Sequence, residues 1–407
     1  MTINHSNMLS APTRRRFLER TVGTAGALAL DATFARVFAQ SSGPIRLGVF
    51  NTFTKAVALF GEATFRGIEL YLDGTGRKLA GRNVEIIKED DEFNPQVGLQ
   101  KLRKLVESDK VHAVLGPLGS HIAAAMVGYM KGSGTPWIVT GAGSTVLTKE
   151  RIPAMYRASL TNWQVAHPMG TWAYHNAAKE VVTVSSDFLA GHDIADAFKG
   201  TFTKEGGKVL KEIFPPVGTN DFSAYLADIR SMNAPAVYGF FTGSESGRFV
   251  RQFQQYGLKG RVKLLGFQST LDSDTFPLQG NSAVGGLSTS IYCETLDTPE
   301  NKAFVEVYEK KHKDLPGIFS ESGYTAMRIL DDAAKSIAGR IEDIPAFSAA
   351  IGKTNIVAPR GPVSFDPVTH QAIQNVYVRE VVEDKGRIVN KVIATVRNVG
   401  DHPDNKA

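Results

Sequence analysis

Two loops hold the residues whose types and spacing could do chemistry. The first, Gly116-Pro117-Leu118-Gly119-Ser120-His121, follows a short apolar run at 111–115 and precedes helical apolar spacing from Ile122 to Met130. The second, Gly141-Ala142-Gly143-Ser144-Thr145, follows another apolar run at 136–140. Two parallel strands would bring both loops to one sheet edge, where open α/β sheets bind ligands. Glycines there let backbone N–H groups approach a ligand, and a helix N-terminus adds positive partial charge. The chemistry this offers is capture of an anion, and a carboxylate would suit it. Serine at a helix start is also an ordinary cap, and glycine after a strand an ordinary turn. Neither loop is a P-loop, and Gly-Ala-Gly-Ser-Thr lacks the third glycine of a dinucleotide fingerprint.

Catalysis is the competing chemistry. Asp187, His192 and Asp193 with Ser120 and His121 contain the types of an acid–base set, but no G-x-S-x-G elbow, H-E-x-x-H or zinc-spaced Cys/His pattern occurs. The sequence therefore predicts no enzyme, no metal and no cofactor. The single cysteine, Cys293, permits no intramolecular disulfide and reads as a small buried hydrophobe.

The elements that must position these loops alternate in a βα rhythm, the mark of parallel sheets. Strands are expected at 45–50, 84–88, 111–115 and 136–140, with helices at about 62–72, from Asn94-Pro95 onward, and at 122–130. After a helix at about 163–177 the rhythm restarts, with strands at 181–185, 209–214, 236–241 and 262–267 and helices near 191–205, 221–232 and 246–256. A strand-like run ends at Tyr292, and helices follow at 299–312 and 320–337. Period-two strands at 376–382 and 388–396 flank Glu383-Asp384-Lys385-Gly386, a hairpin signal. The fold class is α/β, in two lobes with no low-complexity linker, which predicts several short crossovers forming a hinge.

Residues 1–39 read as an address rather than fold. Thr13-Arg14-Arg15-Arg16-Phe17-Leu18 fits a twin-arginine export pattern, and 22–30 is an apolar stretch too short to span a membrane. Val37-Phe38-Ala39 offers a cleavage site. This segment holds Arg14, Arg15, Arg16, Arg20 and Arg36 against Glu19 and Asp31, and so supplies +3 of the chain's +5. The remaining +2 gives no argument for nucleic acid.

Taken in order, Ile45-Arg46-Leu47-Gly48-Val49-Phe50, the stretch from Phe60 to Leu70, the acidic end at Asp91, Asn94-Pro95-Gln96-Val97, Ala113 to Ser120, Thr219 to Arg230, Arg251 to Lys259, Asn301 to Tyr308 and Gly361 to Pro367 resemble the solute-binding proteins of branched-chain amino-acid ABC importers. The resemblance implies a type I periplasmic binding protein fold, two Rossmann-like lobes with parallel central sheets and a three-crossover hinge near Ala158, Ser288 and Gly361. It assigns 40–158 and 289–361 to one lobe, 159–288 and 362–395 to the other, and 396–407 to a tail. It also implies a periplasmic monomer without turnover that captures a small carboxylate and delivers it to a membrane permease.

By the same resemblance Ser120, Ala142, Gly143 and Ser144 hold the ligand carboxylate, and Phe60 covers the ligand. His121 lines the cleft, and Ala190, Gly191, Thr242 and Gln268 face it from the second lobe. Amino-acid binders of the family place an acid at the Gln268 position to meet the ammonium. A neutral amide cannot supply that charge, although Asp187 or Glu245 could substitute. Phe60, Trp137, Phe188, Phe241 and Phe267 near strand ends then favour an aromatic acid such as a benzoate or phenylpropanoid. A branched-chain amino acid, a short amide, or a role as a periplasmic sensor subunit are the alternatives.

Overall fold

The computed structural model describes residues 43–405; the export stretch expected at 1–39 lies outside the described residues. The first sheet is built from β1 (Ile45–Asn51), β2 (Lys78–Leu79), β3 (Arg82–Asp90), β4 (Ala113–Leu115), β5 (Trp137–Val139) and β6 (Met155–Arg157) in the order β2-β3-β1-β4-β5-β6. All its pairings are parallel except β2 with β3. Helices α1 (Ala58–Gly74), α2 (Pro95–Arg103), α3 (Ser120–Ser133) and α4 (Thr145–Lys149) make the crossovers. Asn94 caps α2, its Oδ1 accepting from the Gln96 and Val97 N–H groups, and Pro95 stands in the first turn, where its missing donor costs nothing.

The second sheet repeats the plan after α5 (Asn162–Asn176). Its elements are β7 (Glu180–Ser185), α6 (Leu189–Lys204), β8 (Lys208–Ile213), α7 (Ser223–Ser231), β9 (Ala236–Phe240), α8 (Ser244–Gln255), β10 (Lys263–Phe267) and β11 (Leu287–Ser290). The chain then forms α9 (Pro299–His312), α10 (Ile318–Ser336), α11 (Ile344–Gly352), β12 (Asn355–Ala358), β13 (Gly361–Phe365), β14 (Ala372–Asp384) and β15 (Arg387–Val399). The order is β12-β13-β14-β11-β10-β9-β7-β8, with β15 paired to β14. Strands β7 to β11 pair in parallel, while β14 runs antiparallel to β11, β13 and β15.

Both sheets are covered on both faces, which explains their nearly continuous apolar strands. Leu47, Ile138 and Val49 pack with Ile68 of α1 and Met327 and Leu330 of α10, and Phe50, Val114 and Trp137 pack on the other face with Leu102 and Met126. In the second sheet Tyr238 and Leu265 lie under Met169, Phe198 and Phe202, while Val182, Val237 and Leu264 lie under Leu226, Phe249 and Phe253. Cys293 is buried, where desolvation pushes its thiol up to about 12.

Val363 and Phe365 of β13, with Ala372 at the start of β14, pack in the cluster of Leu47 and Ile138. The expected tail from 396 is instead the end of β15 followed by a packed turn, where Arg151 donates to the Asn405 carbonyl at 2.8 Å.

Candidate ligand-binding site

A cavity lies where the loops of the two sheets meet. In each sheet the chain order reverses beside its lining loops, between β1 and β4 and between β7 and β9, as the switch-point rule requires. From the first sheet come Phe93, Leu118, Gly119, Ser120, Gly141 and Gly143; Leu160 and Asn162 follow at the first passage between lobes. The second sheet contributes Phe188, Ala190, Phe240, Thr242, Phe267, Gln268 and Ser269, and α10 adds Phe319.

At the first-lobe end, the N-cap of α3 is the extended Gly119, which has no side chain to cap with, so the helix begins with N–H donors that no N-cap side chain satisfies. The two hydroxyl-bearing loops are tied to each other. Ser120 Oγ accepts from the Gly143 N–H at 3.2 Å and the Ser144 N–H at 3.1 Å. With its oxygen so engaged, the Ser120 hydroxyl keeps its own proton to donate. Ser144 does not line the cavity. It caps α4 through Val146 N, its carbonyl accepts from Arg157 Nη2 at 2.9 Å, and its hydroxyl meets Asp193 of α6, a carboxylate from the other lobe.

Of the residues expected at the ligand, Ser120, Gly143, Ala190, Thr242 and Gln268 line the cavity. Ala142 is buried behind it in the first-lobe core, and Gly191 packs on the Ser186 carbonyl. His121 stands outside the lining, edge-on to Phe93 at 4.5 Å and Phe188 at 5.7 Å, and burial lowers its pKa. Phe60 lies inside α1, which starts at Ala58 rather than at Glu62. It is fully buried and stacks at 4.3 Å on Phe319, which lines the cavity. Trp137 and Phe241 are core, while Phe188 and Phe267 face the cavity.

Sequence reasoning missed Phe93, Leu118, Leu160, Asn162, Phe240 and Phe319. The rings form a continuous wall: Phe93 meets Phe188 at 5.9 Å, Phe188 meets Phe240 at 5.8 Å, and Phe240 meets Phe267 edge-on at 5.4 Å.

Among the described residues no aspartate or glutamate lines the cavity. Glu245 is buried and accepts from Ser186 Oγ at 2.7 Å and from the Gly218 N–H; burial raises its pKa. Asp187 pairs with His192 at 2.8 Å on the exposed surface. Asp193, its pKa also raised by burial, faces Ser144, Asn162 and the Thr145 N–H. The acids that could have met an ammonium are engaged elsewhere, and the imagined acid–base set is scattered.

A profile of the periplasmic binding protein family matches residues 44–387. The chain belongs to that family. It is 31% identical over 381 residues to Leu/Ile/Val-binding protein homolog 6 of Brucella abortus, covering 92% of this chain and 95% of that protein. Among solved structures, a solute-binding protein of an ABC transporter from Rhodopseudomonas palustris BisB5, in complex with 3,4-dihydroxybenzoic acid, is 30% identical. It superposes with a TM-score of 0.85 over 89% of this chain and 99% of that one. An R. palustris solute-binding protein in complex with benzoate is also 30% identical, with a TM-score of 0.82 over 87% and 98%. A leucine-binding protein from Thermotoga maritima, 24% identical with a TM-score of 0.77 over 89% and 99%, shares the fold. The protein is thus a solute-binding protein of an ABC transporter and not an enzyme.

Proposed function

We propose that the protein is an exported receptor that closes its lobes around an aromatic carboxylic acid and delivers it, as a monomer, to a membrane permease. The observation that carries this reading is the lining of the cavity: five phenylalanines and no acidic side chain. An α-amino acid buried there would leave its ammonium without a counter-charge, a cost of several kcal/mol. The carboxylate belongs at the first-lobe end, where the start of α3 and the free proton of Ser120 supply donors. Export to the periplasm is supported by the twin-arginine pattern and the family, and no helix among the described residues is long and apolar enough to cross a membrane.

The alternative, a branched-chain amino acid, is favoured by the name of the Brucella relative. A thermal-shift screen separates the two. At a hundred times its Kd a ligand adds about 2.7 kcal/mol of stability, so benzoates should raise the melting temperature by several degrees while leucine and valine leave it unchanged. A large shift with leucine and none with any aromatic acid would overturn the proposal.

A further inference from the structure

We propose that Gln268 and Thr242 read an oxygen carried on the ligand's ring, so that the protein selects hydroxylated aromatic acids over isosteres without a hydroxyl. The inference rests on the aromatic-acid reading and adds to it a second polar contact at the far end of the cavity. Gln268 is 1% exposed. Its backbone carbonyl accepts from Arg379 Nη2 at 3.3 Å, and Arg379 is itself fixed by Asp272, Ser288 and the Tyr292 carbonyl. The amide is oriented by its neighbours: Oε1 faces the Ile291 N–H at 3.5 Å and Ser290 Oγ at 3.4 Å. Because a backbone N–H can only donate, oxygen and not nitrogen must face Ile291. Nε2 is the remaining end, and it has no acceptor among the described residues.

Thr242 is in the same condition. Its carbonyl accepts from Glu245 N at 3.2 Å, but its hydroxyl has no partner among the described residues. The neighbouring hydroxyls are committed: Ser269 Oγ donates to the Phe241 carbonyl at 3.1 Å, and Thr270 Oγ1 to the Gly239 carbonyl at 3.1 Å. Gly239 and Gly266 are register partners on β9 and β10, so Thr242 and Gln268 emerge from adjacent strand ends and line one cavity. The amide N–H2 and the hydroxyl open on the cavity, a donor and a donor–acceptor available to a ligand. A phenolic hydroxyl completes both, its oxygen accepting from Gln268 Nε2 and its proton going to Thr242 Oγ1. A bare ring or a methyl group leaves both unpaired, the arrangement that gives sites built for a hydroxyl their discrimination.

The test is calorimetric titration of the mature protein with 3- and 4-hydroxybenzoate, the corresponding methylbenzoates and benzoate, repeated on Gln268→Leu and Thr242→Val. Wild type should bind one hydroxybenzoate at least about tenfold tighter than its methyl isostere. Gln268→Leu should reduce that ratio to near one. Thr242→Val, which alters a side chain at the cavity wall, should lower the ratio in part and guards against misfolding of the first variant. Equal wild-type affinity for hydroxyl and methyl compounds would overturn this inference and leave the aromatic-acid reading intact. Binding of no aromatic acid would overturn both.

Discussion

Ser120 serves two masters: it fastens the Gly143 and Ser144 N–H groups and keeps a proton for the ligand. Ser120→Ala should therefore weaken binding tenfold to a hundredfold, equivalent to roughly 1.5–3 kcal/mol for a charge-assisted hydrogen bond. It should also lower stability by about 1–3 kcal/mol, since two buried donors lose their acceptor. Calorimetry and chemical denaturation on the same variant check both; full affinity would reduce Ser120 to a loop fastener. Ser120 was legible because its loop follows an apolar strand and opens a helix, whereas Thr242 and Gln268 came from the resemblance to the solute-binding proteins. The ring wall was less legible. Phe93 reaches the cavity from a turn in which Glu92 and Phe93 both take left-handed φ, and Asp91 braces it, accepting from the Phe93 N–H at 2.9 Å and Thr52 Oγ1 at 2.5 Å. Asp91 is fully buried and its pKa is raised to about 6, chiefly by burial. Phe319 arrives on α10, far along the chain from the Phe60 ring of α1 on which it stacks, and no local pattern announces such a meeting.

Helix α6 carries its own closure contact. Asp193, four residues into it, faces Ser144, the Thr145 N–H and Asn162, so a second-lobe carboxylate caps the first-lobe helix α4. In the proposed cycle this contact exists only when the lobes are together, and it touches no ligand. Asp193→Ala should raise Kd severalfold to tenfold while the melting temperature of the ligand-free protein shifts by no more than a few degrees. An unchanged Kd would show that Asp193 is a bystander. Through this contact the Ser144 hydroxyl meets a carboxylate of the protein's own. At this scale the long periodic helices and β1, β3, β7 and β9 were plain in the sequence. Strand β6 has three residues and β12 four, too few to show a period against their surroundings, and α11, with Pro345 in its first turn, is too short to stand out as a helix. Residues Lys104–Ser108 wind as a π turn, which placed Leu105 in the core and blurred the end of α2.

The two lobes are joined where buried side chains bind the passages together. Arg360 donates to the Ala158 carbonyl at 3.1 Å and Gln374 Oε1 at 3.0 Å and pairs with Glu321 at 2.7 Å, while Gln164 reaches the Ala372 and Val399 carbonyls. If the lobes close on a ligand as proposed, these bonds hold the passages together, and closure would be limited by what meets across the cleft. Gly243, between β9 and α8, is such a point. Its φ of +57° with ψ of −130° is open to glycine alone, and a Cβ built there would overlap the carbonyl oxygen of Ala56 in the first lobe. Gly243→Ala therefore acts twice. Backbone strain of about 1–3 kcal/mol falls on the second lobe whether the cleft is open or closed, whereas the collision arises only on closing. The first is read from the melting temperature of the ligand-free variant. The second is read from affinity and from small-angle scattering: wild type should contract on adding a saturating ligand, and the variant should bind at least tenfold more weakly and contract less. A variant that is destabilised yet binds and contracts like wild type would show that Gly243 answers only to its own backbone, and that the approach to Ala56 does not limit closure.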